Sequence, residues 1–96
     1  MSIQEIIANN RKQILALASK YGAYNVRLFG SVTSGLADEK SDIDFLVDLE
    51  DGRSLFDLGG LLMDLQKLLQ RKVDVVTEKG LHWYIRDRIL TEAKSL

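Results

Sequence analysis

The chain has 96 residues, is 46% hydrophobic and 28% charged, and carries a net charge of −1 with no cysteine. No apolar run approaches the roughly 20 residues a membrane-spanning helix needs. Disulfides and thiolate metal sites are excluded, and a pI of about 5.7 argues against a general nucleic-acid-binding surface. The length suits one small domain, residues 1–96. The opening MSIQEIIANN lacks the basic-then-apolar order of a secretory signal, so a cytoplasmic location is expected.

Ser2 and Glu5 have the spacing of a capping box. Ile3, Ile6, Ile7, Ile14, Leu17, Ala18 and Tyr21 then recur at helical spacing as far as Lys20, with a polar break at 9–12. Gly22 stops this helix. Tyr24 to Phe29 reads as a short strand that runs into Gly30-Ser31, where one helical turn could follow.

A second strand is expected from Ile43 to Leu49. Side chains alternate across a pleat. Ile43, Phe45, Val47 and Leu49 therefore point one way. Asp42, Asp44, Leu46 and Asp48 point the other. Asp42 and Asp44 would lie roughly 6.6 Å apart on one face. Two such carboxylates repel each other and gain nothing from packing. A divalent cation would neutralise them, and Mg²⁺ suits an oxygen site shared with substrate phosphates.

The Gly-Ser pair supplies a complementary part. Gly30 lets a backbone approach a ligand closely and tolerates positive φ. The Ser31 hydroxyl and nearby N–H groups can donate to phosphate oxygens. Gly35 permits a second tight bend. A phosphate cradle beside a metal site suits attack on a nucleoside triphosphate. The bland alternative is a solvated acidic turn formed by Gly35 and residues 38–42.

Beyond the turn at 50–53, Ser54 caps an amphipathic helix. Leu55, Leu58, Leu61, Leu62, Leu65, Leu68 and Leu69 form its core face. Gly59-Gly60 inside it suggests close packing on the sheet, or a bend. Val73 to Thr77 is a third strand with Asp74 in its middle, costly there without a partner. A salt bridge to Arg27 or Lys72 at a sheet edge would be one solution. Trp83 to Ala93 reads as a last helix, with Ile85, Ile89 and Leu90 inward. His82 is expected at the surface or as a cap.

Gly30-Ser31, ten residues, then Asp42-Ile43-Asp44 resembles the signature of the DNA polymerase β-like nucleotidyltransferase superfamily. The short length and flanking sequence resemble its minimal members, most of all MntA-type antitoxins paired with HEPN-domain toxins. The likeness extends from the opening helix to the closing Ile-Arg-Asp-Arg-Ile-Leu. One departure is Ser34, where many members have Arg.

The resemblance implies an α/β fold of the polymerase β type, a small mixed sheet with helices packed chiefly on one face. Asp42, Asp44 and Asp74 would share the other face and hold two Mg²⁺ ions, with Asp74 the third metal-binding carboxylate. Gly30 and Ser31, with Asp42 and Asp44, would bind the nucleotide. The implied reaction is transfer of AMP from ATP to a tyrosine of the cognate HEPN toxin, an RNase. No membrane and no direct nucleic-acid contact are expected. Two alternatives are an antitoxin that acts by occlusion alone and a nucleotidyl-transferring subunit acting on a small molecule.

Overall fold

The computed structural model describes residues 2–34 and 41–96. The expected bend at Gly35, and the turn from 38, therefore lie outside the described residues. Among the described residues β1 (Ala23–Phe29), β2 (Ile43–Leu49), β3 (Val73–Thr77) and β4 (Lys94–Ser95) make one sheet in the order β3-β2-β1-β4. β1 runs antiparallel to both β2 and β4, while β2 and β3 are parallel. A parallel pair needs a crossover. Here it is helix α4 (Leu55–Leu69).

Strand β2 is central, and its alternation decides the layers. Ile43, Phe45 and Val47 are at most 1% exposed. They pack in one continuous core with α1 (Ile3–Asn9), α2 (Arg11–Lys20) and α4, through Ile3, Ile7, Ile14, Ala18, Leu61, Leu65 and Leu69. The polar stretch near residue 10 is a true break. Asn10 ends α1 and precedes α2 with φ −109° and ψ 10°. Its side-chain amide donates to the Ile6 carbonyl at 2.8 Å. Ser2 caps α1 as its spacing with Glu5 predicts, accepting from the Glu5 N–H.

Ser54 and Asp57 form a full capping box at the start of α4. The Gly59-Gly60 pair divides in two. Gly59 faces open space, whereas a Cβ at Gly60 would lie 2.5 Å from Cε1 of Tyr21. The close approach is thus to the residue that ends α2, not to the sheet. Tyr21 in turn donates to Asp64 of α4 at 2.6 Å.

Helix α5 (Trp83–Glu92) departs from expectation. His82 caps it, its Nδ1 accepting from the Tyr84 N–H at 3.1 Å. Yet Ile85 is 41% exposed, and Ile89 and Leu90 are only half-buried. The helix carries apolar residues at the right spacing, but among the described residues no facing layer covers them fully. It ends at Glu92, and Lys94–Ser95 then adds the short strand β4 beside Arg27 and Leu28 of β1. No described helix is long and apolar enough to cross a membrane.

Candidate nucleotide site

The site lies where β1 ends and β2 and β3 begin. Ladder pairing sets Asp44 opposite Phe29 on one side and opposite Asp74 on the other. Ile43 pairs with Val73, and its N–H donates to the Lys72 carbonyl at 3.2 Å. Alternation then gives Asp42 and Lys72 the same face as Asp44 and Asp74. The four side chains form two rungs. Asp44 and Asp74 are the inner pair. Asp42 and Lys72 are the outer pair, with the ammonium 3.7 Å from Asp42 Oδ2.

The inner rung is electrostatically uncompensated. Burial pushes the Asp44 carboxyl above its ordinary range, and the like charges of Asp74 and Asp42 add to the push. The carboxylates of Asp44 and Asp74 have no ion pair or side-chain hydrogen bond among the described residues. The salt bridge considered for Asp74 is not formed. Arg27 gives its two Nη groups to Asp48 and Glu78, each at 3.0 Å, and Lys72 is turned to Asp42.

Gly30 joins the loop to the acids. Its φ is +78°, a conformation that favours glycine, and a Cβ there would lie 2.5 Å from Asp44 Oδ2. The chain then turns at once into α3 (Ser31–Ser34), with Ser31 half-buried at its first position. The N–H and hydroxyl of Thr33 both donate to the Gly30 carbonyl, at 3.1 and 2.9 Å. Val32 is buried and fixes the turn against the core. Ladder and loop thus bring Gly30, Asp44 and Asp74 together.

Asp42 stands beside them but faces Lys72. No three Asp, Glu, His or Cys residues among those described converge closely enough to enclose an ion. The donors are nevertheless all carboxylate oxygens with excess negative charge, the set that suits Mg²⁺ sharing its sphere with water and phosphate.

Lys72 is the member that sequence reading did not assign to the site. Its signal was available, since it stands two residues before Asp74 and so on the same face. Another unassigned group lies further along this face. Leu46 is fully buried although outside the main core, between Arg27 and Val76 in the register. Arg27 also donates through Nε to the Asn25 carbonyl at 3.0 Å, and Asn25 donates to Asp48 at 2.9 Å. Asn25 takes φ 50° at an irregularity in the β1–β2 register. A cavity of about 410 Å³ opens beyond this network, between Tyr24, residues 48–53 and 77–79. It holds none of the expected site residues.

Residues 10–96 match the family model described as nucleotidyltransferase domain. A Methanocaldococcus jannaschii protein with the provisional name protein adenylyltransferase is 39% identical over 93 residues, 97% of this chain and 96% of its own. The protein adenylyltransferase MntA of Thermococcus cleftensis is 34% identical over 90 residues, 94% and 88% of the two chains. A solved structure of a provisionally assigned minimal nucleotidyltransferase superposes with a TM-score of 0.86 at 43% identity, covering 100% of this chain and 97% of that one. A toxin–antitoxin structure solved with AMP-PNP gives 0.75 at 25% identity, covering 90% and 71%.

Proposed function

The chain belongs to the nucleotidyltransferase domain family, and on that premise we propose that it is a Mg²⁺-dependent protein adenylyltransferase and antitoxin. It transfers AMP from ATP to a tyrosine of a cognate HEPN-domain RNase toxin in the cytoplasm and so silences it. The observation that carries the reading is the opposed Asp44–Asp74 pair against Gly30, with no basic side chain of the described residues paired to it. Its support from similarity is that related chains are named protein adenylyltransferases and that a structural neighbour is a toxin–antitoxin assembly with AMP-PNP.

Asp42, Asp44 and Asp74 would hold the metal. Bound there, Mg²⁺ supplies charge neutralisation at the triphosphate and lowers the pKa of the acceptor hydroxyl. Gly30 leaves room for the phosphates beside Asp44, and Ser31 donates to their oxygens. The tyrosine oxygen attacks the α-phosphorus in line. The bond from that phosphorus to the bridging oxygen breaks and pyrophosphate leaves. Asp74 receives the hydroxyl proton. Fixed charges and positioning provide most of the acceleration.

Transfer and simple occlusion separate in one experiment. The toxin is incubated with this protein, ATP and Mg²⁺, the two proteins are then separated, and RNase activity is read. A modified toxin stays silent. Full recovery contradicts transfer and leaves binding alone.

A further inference from the structure

The outer rung pairs an acid with a base, and both are exposed. The side chains of Lys72 and Asp42 are 76% and 48% accessible. Such a pair is weakly held and exchanges readily for another partner. The backbone of Lys72 is fixed, by contrast, because its carbonyl accepts from Ile43 N–H at the first step of the β2–β3 ladder. The base of the side chain is therefore anchored while its ammonium is free to swing. Arg27 cannot serve in its place, since its side chain is 11% exposed and bound to Asp48 and Glu78. Residues 30–34, Gly-Ser-Val-Thr-Ser, contain no cation at all.

We propose that Lys72 is a phosphate-binding residue of the nucleotide site, held on Asp42 until nucleotide arrives and then passed to the triphosphate. This rests on the reading that the site takes a nucleotide. Released from Asp42, the Lys72 ammonium would stay beside the same two rungs. An ammonium on a four-carbon stem is a mobile point charge that can follow phosphate oxygens. A charge-assisted contact of this kind is stronger than its neutral counterpart. Lys72 also keeps the outer carboxylate from adding its full repulsion to Asp44 and Asp74 in the empty site.

The test uses binding, so it does not depend on finding an acceptor. Wild type, Lys72→Ala and Lys72→Arg are titrated calorimetrically with Mg²⁺ alone, with a non-hydrolysable ATP analogue plus Mg²⁺, and with AMP. Lys72→Ala should bind the triphosphate analogue about ten- to a hundredfold more weakly, the factor for one charge-assisted hydrogen bond. Its affinity for AMP should change much less. Its affinity for Mg²⁺ alone should be equal or higher, because the competing ammonium is gone. Lys72→Arg should recover most of the analogue affinity.

Weaker triphosphate binding with no loss of Mg²⁺ binding is what a merely structural lysine would not produce. Equal analogue affinity in wild type and Lys72→Ala overturns the proposal. So does a Lys72→Ala protein that binds Mg²⁺ alone more weakly, which would assign Lys72 to shaping Asp42. Failure of wild type itself to bind the analogue overturns the nucleotide reading along with it. Loss confined to Lys72→Ala supports the proposal.

Discussion

Asp44 and Asp74 stand opposite each other on parallel strands, and burial together with the charge of its neighbours raises the Asp44 carboxyl above its ordinary range. A folded chain that holds a proton more tightly than the unfolded chain loses stability as pH rises from the ordinary carboxyl value through the raised one. Above that window the loss is complete and level.

Asp44→Asn removes the repelling charge and with it that loss. Without metal at neutral pH it should be as stable as wild type, or slightly more stable. Below the window the two proteins should converge, apart from the small difference between the neutral acid and the amide. With Mg²⁺ and ATP the order should reverse. A ligand at about a hundred times its Kd stabilises by about 2.7 kcal/mol, and the mutant should gain much less. Thermal melts across pH, with and without ligand, read both effects; equal ligand-induced shifts in the two proteins would rule out the shared site.

Gly30→Val places a branched side chain at φ +78° and against Asp44 Oδ2. The backbone strain should lower stability by about 1–3 kcal/mol. Ligand-induced stabilisation should be lost as well, because the same Cβ fills the space beside the acid. Ser31→Ala should fold normally and weaken nucleotide use by about 1–3 kcal/mol. Denaturant titration gives the first quantity and ligand-dependent melting the second. A Gly30→Val protein with wild-type ligand response would leave the loop as only a turn.

The two adjacent glycines of α4 should respond with opposite signs. Gly59→Ala meets open space and should stabilise by up to about 1 kcal/mol through helix propensity. Gly60→Ala collides with the Tyr21 ring, which is tied to Asp64 at 2.6 Å. The displaced ring should more than cancel the same gain. Stabilisation of both variants would mean that Tyr21 yields without cost.

Arg27→Met keeps an apolar stem opposite Leu46 in the β1–β2 register but strands Asp48 and Glu78. Hydrogen bonds to charged groups are worth about 1.5–3 kcal/mol, and these acids are 29% and 34% exposed, so they recover part of their hydration. A loss of about 1–3 kcal/mol is expected in urea titration. An unchanged midpoint would show that the network contributes no stability.

What the sequence revealed follows from how local each cause is. A two-residue period is enough to place Asp42 and Asp44 on one face and Ile43, Phe45 and Val47 in the core. Ser54 and the leucines of α4 announce their helix through capping and period. The pairing that opposes Asp44 to Asp74 needed the β2–α4–β3 crossover, and only resemblance suggested it. The inward face expected for α5 is formed only in part: Ile89 and Leu90 are half-buried, but Ile85 has the spacing and no cover among the described residues. Two residues of β4 have no period to detect. Asn10 showed as a polar interruption, but its side-chain bond to Ile6, which ends the helix, is visible only in the structure.

Covalent transfer of AMP to the partner, as proposed, changes the partner's mass, so intact mass spectrometry decides it. The cognate toxin is incubated with this protein, ATP and Mg²⁺, and its mass is measured before and after. Discrete increments of one AMP are expected, abolished by chelation and by the Asp42→Ala, Asp44→Ala double variant. That variant should remain folded, because the core face of Ile43, Phe45 and Val47 is untouched. An unmodified toxin that is nonetheless inhibited by the folded wild-type protein would rule out transfer and leave occlusion.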